Sequence, residues 1–527
     1  MVLALREIVN VPITTPHLAA NAIPAEKVDG TIKLETIHDW HDDLASDRHY
    51  KLAQTILCHT NPAIVLGSRD AKIKDDMLFN TAVSLEGEPI ANQLSSGRCW
   101  LFAMCNVVRI FTTRKFNLGK FELSQASRRT PFSHWRGASA DGSPCAQSYL
   151  FFYDHLSKAN WFLEQVLDLA GDKLDSRKMQ FLFSELPAQD GGQWDLAVSL
   201  VENFGLVPQH VFPESWSSSN SGVLDTLLTS KLREMGLHLR KYFRQLQAQQ
   251  HPDALEVARR KKEEMLKVIY RILTINLGTP PKPDQLFLWE FKDKKGDYQT
   301  IQTTPLEFAR IHSGYDVSNT VSLLHDPRNP FRETYTIDRL GNVVGGRDLV
   351  FLNLPMPKIK RVAIAMLKAD IPVWFGCDGA LASGNRFRTF DIERLIKLVL
   401  AVDKASDTDN GFMDTKLRDF EAAYGTELQL DKKERLLAYD TSMTHAMMFT
   451  GVHIDPLSKL PVRWRVENSW GPEACNKGFL VMTDEWFDEY VFQIAAPREF
   501  VDHDLLDIYD NAQHHVLPMW DTLASIF

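Results

Sequence analysis

Residues 93–103, QLSSGRCWLFA, set a glutamine six positions ahead of a cysteine, with a flexible Ser-Ser-Gly-Arg approach between them and an apolar run behind. The run continues as CWLFAMCNVVRIFTTRKF to about residue 116 and is apolar on nearly every side, the pattern of a helix buried in a core. Cys99 opens that helix, so the unpaired N–H groups of its first turn point towards the sulfur. A thiolate is the nucleophile, and a thiol of pKa near ~8.5 supplies little of it at neutral pH without such positive potential. The same N–H groups, joined by the side-chain amide of Gln93, suit the oxyanion that forms when a thiolate attacks a carbonyl. The pattern predicts a reactive Cys99 of lowered pKa, alkylated ahead of the other thiols. A cysteine at a helix start is also the signature of a small buried hydrophobe, so its partners decide.

Cysteine hydrolysis needs an imidazole to hold the thiolate and later protonate the leaving amine, and a third group to orient the ring. Seventeen histidines compete for that role. His445, in SMTHAMMFTGVHID, stands at the start of an apolar strand-like run, where the ring can face a cleft while the following residues anchor it. Asn468, in VRWRVENSWG, ends a strand at a polar-aromatic turn, a spacing that permits His and Asn on neighbouring antiparallel strands. Trp470 is placed to shield a His–Asn hydrogen bond from water. Taken singly, each of these is also an ordinary core or turn residue.

The bounds on the chain are consistent with an enzyme. With 527 residues, 44% hydrophobic and 24% charged, it has the composition of a folded globular protein. No stretch reaches the roughly 18–20 apolar residues needed to span a bilayer. The N-terminus lacks the basic start and long apolar core of a secretory signal, so the expected address is cytosolic, with a mitochondrial fraction as the alternative. Cysteines 58, 99, 105, 145, 377 and 475 form no CxxC pair and read as free thiols. A net charge of −9 argues against a globally basic nucleic-acid binder but leaves a local basic face open. Residues 1–40 read as an arm, with the fold beginning near 40 and a first helical pattern in LASDRHYKLAQTILC. Helical patterns cover about 149–170, 194–204 and 223–276. Strand signals gather later, in QLFLWEFKD, TYTIDRLGNVVGG with its Gly-Asn turn, IPVWFGC, AMMFTGVHI, PVRWRVENSW and GFLVM. Helices first and antiparallel strands later predict an α+β fold.

In this order, QLSSGRCW, MTHAMMFTGVH and VENSWG resemble the papain-like cysteine peptidases, and within them the bleomycin-hydrolase family. The likeness extends through SYLFFYDHLSKANWFLE, QDGGQWDLAVSLVENFGLVPQHVFPES, HDPRNPF and KGFLVMTDEWFDEYVFQ, and covers roughly 40–520. It implies Cys99 as nucleophile, His445 as general base and acid, Asn468 as its orienter and Gln93 as oxyanion-hole donor, with Trp100 and Trp470 supporting the site. It also implies an aminopeptidase acting on peptides and peptide-like amides, with no metal or organic cofactor. A homohexamer is expected, with the C-terminal tail, residues 511–527, lying in or near the active-site cleft. The tail departs from the family's usual ending while keeping Leu517-Pro518 and Trp520-Asp521. Basic segments such as RKKEEMLK and KLREMGLHLRKYFR leave nucleic-acid binding as an alternative, and a papain-like endopeptidase is another.

Two segments interrupt the resemblance: residues 126–147, and about 379–401 after FGCD. Two readings stand for them, retained introns in the gene model or surface loops.

Overall fold

The structure, a computed structural model, describes residues 30–86, 89–119, 121, 148–185, 187–379, 406–407 and 410–524. Segment 126–147, segment 379–401 beyond Gly379, and Cys145 lie outside the described residues. The chain forms two compact units, 1–60 and 61–527. In the first, helices Leu34–Ser46 and Arg48–Leu57 bury none of their side chains, and Asp47 caps the second by accepting from the N–H groups of His49 and Tyr50. Helical structure therefore starts at Leu34, ahead of the expected boundary near 40. Leu34, Ile37, Trp40 and Leu44 recur at helical spacing, a stripe diluted in the sequence by the acidic residues among them.

The second unit is built around helix Cys99–Lys115, of which only Phe111, Arg114 and Lys115 are not buried. Helices Ser148–Asp168 and Trp194–Phe204 match the expected patterns. The run expected over 223–276 is two helices, Gly222–Ala248 and Ala254–Leu277, which pack on each other and on Ser148–Asp168. Pro252 and a left-handed Gln250 (φ 52°) lie at the break, where proline's missing N–H cannot continue the ladder. Among the described residues no helix is long and apolar enough to cross a membrane.

The main sheet runs through His515–Leu517, Glu333–Ile337, Phe351–Asn353, Thr320–Leu324, Val491–Pro497, Val373–Cys377, His445–Ile454, Pro461–Glu467 and Phe479–Thr483. Its centre is antiparallel, as expected, with His445 facing Cys377 and Met448 facing Glu467. Towards the edges it becomes mixed: Thr320–Leu324 runs parallel to Phe351–Asn353, and His515–Leu517 parallel to Glu333–Ile337. QLFLWEFKD contributes to a separate two-stranded ribbon, Phe287–Lys292 with Tyr298–Thr303. The Gly-Asn of TYTIDRLGNVVGG makes no hairpin turn. Asn342 is buried instead, and its amide donates to Asp154 Oδ1 and the Leu196 carbonyl, at 3.1 Å each.

Helix and sheet are joined by a buried ion pair. Arg109, on the central helix, donates to Glu467 Oε1 at 3.0 Å and to the Pro89 carbonyl at 2.6 Å, and both charged side chains are essentially inaccessible. Glu467 ends the strand that delivers Asn468. Removing one partner leaves an uncompensated buried charge, so Arg109→Ala should cost about 3–5 kcal/mol, read as a lowered urea midpoint. Arg109→Lys, which keeps the charge, should cost less.

Candidate active site

The Ser-Ser-Gly-Arg approach to Cys99, expected to be flexible, is held at every residue after Leu94. Ser95 N–H donates to the Ser219 carbonyl at 3.1 Å. Ser96 Oγ donates to the Gln93 carbonyl at 2.7 Å, and Gly97 N–H to Asp190 Oδ2 at 2.8 Å. Arg98, fully buried, makes a two-pronged contact with Glu214 at 2.9 and 3.3 Å and lies over the rings of Phe102 and Phe151. On the far side of Cys99, the Trp100 indole donates to the Asp190 carbonyl at 2.7 Å. Gly192 lies so close to that indole that an added Cβ would sit 2.7 Å from it, which explains a glycine there.

Asn468 and His445 meet as the spacing suggested. Asn468 Oδ1 lies 3.0 Å from His445 Nε2 and also accepts the Ser469 N–H at 2.8 Å, which identifies that atom as the oxygen. Nε2 therefore carries the ring proton and Nδ1 is left to accept one. Trp470 lies against the imidazole with ring centroids 5.3 Å apart. His445 is succeeded in its strand by Ala446, whose N–H bears on the Cys99 sulfur together with those of Trp100 and Cys99 itself.

Gln93 is fixed between these elements. Its backbone N–H donates to the Ser469 carbonyl at 2.8 Å, its Oε1 accepts the Ser469 hydroxyl at 2.6 Å, and one N–H of its amide goes to the Ser96 carbonyl at 2.7 Å. The amide has a second N–H to give. Ser469 and Asp190 were not singled out as site residues in the sequence, although both lie in stretches that carry the resemblance.

Burial pushes the Cys99 thiol up to about 12, outweighing the three N–H groups that favour the thiolate. Burial also pulls His445 down to about 4, against the opposing hydrogen bond from Asn468. This runs against the expected lowering of the thiol pKa: the helix-terminus donors are present, but Cys99 is 2% exposed and loses more from desolvation. Cys58, by contrast, is exposed.

The tail is anchored. Asp521 and Thr522 both bind Arg328, at 2.8 and 3.1 Å, and the Leu523 carbonyl accepts from Gln193 Nε2 at 3.4 Å. Thr522, Leu523 and Ala524 are buried.

These shifts fix a pH dependence. His445 titrates near 6.5 when unfolded and at about 4 when folded, so between those values the unfolded state binds the extra proton and stability falls as pH drops. In melting curves from pH 7 to pH 4, His445→Gln should show a shallower loss of Tm than the wild type. Equal slopes would mean that the folded imidazole titrates normally.

The family model of the peptidase C1-like family matches residues 31–130, 138–395 and 396–524. Cysteine proteinase 1, mitochondrial, of Saccharomyces cerevisiae is 35% identical over 97% of this chain and 96% of its own length. Aminopeptidase C of Streptococcus thermophilus is 35% identical over 92% and 96%, and human bleomycin hydrolase 33% identical over 97% and 100%. The crystal structure of PepW from Lactobacillus rhamnosis superposes with a TM-score of 0.81 at 32% identity, covering 95% of this chain and 100% of that one. With the cysteine at a helix start, the histidine at a strand start and the asparagine just past the end of the neighbouring strand, these matches show that the chain belongs to the peptidase C1-like family.

Proposed function

We propose that this cysteine aminopeptidase of the papain-like C1 family uses Cys99 as nucleophile, His445 as general base and acid, and Asn468 as the group that orients the imidazole. The observation that carries the reading is the fixed His445 ring. Its Nε2–H is tied to Asn468, its Nδ1 is left as an acceptor, and the next N–H along its strand bears on the Cys99 sulfur. Nδ1 takes the thiol proton as the sulfur attacks the scissile carbonyl carbon. The second N–H of the Gln93 amide and the Cys99 backbone N–H receive the developing oxyanion. Collapse expels the amine, which takes the proton from His445, and leaves a thioester. Water, deprotonated by His445, then attacks the thioester and releases the acid and the thiol. Trp100 and Trp470 support the site by packing: the first braces the nucleophile's helix through Asp190, and the second covers the imidazole.

Substrates are peptides and peptide-like amides with a free N-terminus. The exopeptidase register comes from the tail, residues 511–527, which limits the cleft to substrates with a free α-amino group. The anchoring of Asp521, Thr522 and Leu523 supports this, and it favours an aminopeptidase over an endopeptidase. The chain assembles as a homohexamer and works in the cytosol, with a mitochondrial share suggested by the name of the yeast relative. Nucleic-acid binding is not favoured: in the basic helical segments Lys231, Lys261 and Lys262 are each paired with a glutamate.

Cys99→Ala should reduce turnover of a free-amino aminoacyl amide to background, whereas Cys105→Ala, deeper in the helix, should chiefly lower Tm. His445→Ala should cost at least about 10²-fold in kcat and more than Asn468→Ala, which leaves the ring present but loosely held. A larger loss for the asparagine variant with the fold intact would reverse their roles.

Deleting about the last ten residues should weaken cleavage of the free-amino substrate and admit its N-acetylated form. An unchanged ratio of the two rates would remove the tail from substrate selection.

A further inference from the structure

Three buried ionisable side chains lie together against the loop that carries Cys99, and the catalytic steps use none of them. His155 comes from helix Ser148–Asp168, Asp190 from the segment before Trp194–Phe204, and Asp225 from Gly222–Ala248; they are 2%, 4% and 6% exposed. His155 Nε2 lies 3.4 Å from Asp190 Oδ1 and 3.5 Å from Asp225 Oδ1, and the Phe151 ring packs edge-on against the imidazole at 4.3 Å. Asp190 Oδ2 accepts from Gly97 N–H and from the Ser221 hydroxyl, and the Asp190 backbone carbonyl accepts from the Trp100 indole. Asp190 thus grips the chain on both sides of Cys99.

Two carboxylates this close do not both ionise. Burial raises the Asp190 carboxyl, but hydrogen bonding and charge from His155, with the donors Ser221 and Gly97, outweigh it and hold the group well below the usual carboxylate range. Burial, and then the Asp190 charge, push Asp225 well above that range, so it keeps its proton. The Asp190 anion is felt at Cys99, where it opposes a thiolate. Other charged or titratable groups around the cluster are Lys158 and Asp154, held to each other at 2.6 Å, with Lys158 also bearing on Asp225, and the Arg98–Glu214 pair, whose guanidinium lies over the Phe151 ring. Cys377 and His445 are the titratable neighbours on the sheet side of Cys99.

We propose that the buried His155–Asp190 ion pair is a positioning device for Cys99: Asp190 fixes the loop at Gly97 and Trp100, and the His155 charge keeps that anion from suppressing the thiolate. His155 and Asp190 act through the loop and are positioning residues. The inference deepens the reading of Cys99 as nucleophile and rests on it.

The test is the pH profile of kcat/KM, on a free-amino aminoacyl amide, for the full-length wild type and four variants. Asp190→Asn removes an anion and keeps an acceptor for Gly97, so the acid limb should move down by about one pH unit. His155→Gln removes the cation, so the limb should move up by a similar amount. The double variant should return close to the wild-type limb. Asp225→Asn, which exchanges a neutral acid for a neutral amide, should leave the limb in place. Stationary limbs in both single variants, shifts of the same sign, or a shift in Asp225→Asn would each overturn the proposal.

Should a single variant fail to fold, the double variant decides, because removing both charges leaves no unpaired buried ion. A folded double variant supports the pair, and one no more stable than the singles overturns it. The three ligand-type atoms lie within 4.8 Å of one another, so metal content is measured as well. Stoichiometric metal in the purified protein, with a limb that moves on chelation, would replace the ion pair with a metal site. Wild-type turnover in Cys99→Ala would sink the nucleophile assignment instead, and the opposed limb shifts remain a separate readout.

Discussion

The burial of the Cys99–Lys115 helix on nearly all sides is the constraint from which the rest of this structure follows. A helix that is apolar all round has to be wrapped, and here helices such as Trp194–Phe204 and the central strands Val373–Cys377 and His445–Ile454 pack against it. Wrapping a helix leaves its polar side chains without water. Arg109 is answered by Glu467 and Thr112 by the Ser313 carbonyl, at 3.0 and 2.8 Å. Each such bond ties the helix to a particular place on its neighbours, so polar satisfaction sets the register of an otherwise featureless apolar packing.

The same burial defines the chemistry. A thiol at the exposed end of a helix would be activated by the terminal N–H groups alone, whereas a desolvated one ionises only when a partner takes the proton close by. The loop before Cys99 and the turn after Glu467 meet in one seam. Gln93 and Ser469 exchange backbone and side-chain hydrogen bonds there, and Gly471 N–H reaches the Ala91 carbonyl at 2.8 Å. Gly471 has a left-handed φ of 80°, and an added Cβ would lie 2.7 Å from Asn92 Nδ2, so the turn requires glycine. The seam joins the helical and strand portions at the point where thiol, amide and imidazole converge.

Much of this was legible in the chain. The largely apolar run after Cys99 specified a buried helix, since burial on nearly all sides is what tolerates that pattern, and the strand-like runs behind His445 and ahead of Asn468 specified neighbours in a sheet. These are local signals, carried by periodicity and by residue type within a dozen positions. The break near Pro252 was local too, and was hidden because the apolar spacing continues on both sides of it.

What the sequence could not determine is how distant groups sum at one point. The pinning of Ser96, Gly97 and Arg98 comes from Gln93, Asp190 and Glu214, and the last two are remote in the chain, so a segment that looks flexible by composition is held by tertiary bonds. The buried role of Asn342 and the parallel edges of the sheet likewise depend on which acceptors and strands come near. The thiol pKa shows the division most plainly. The sequence by itself determined that Cys99 opens a helix and is favoured by its N–H groups. Only the tertiary structure decided that desolvation exceeds this, because the solvent a side chain loses depends on every element packed over it and not on its neighbours in the chain.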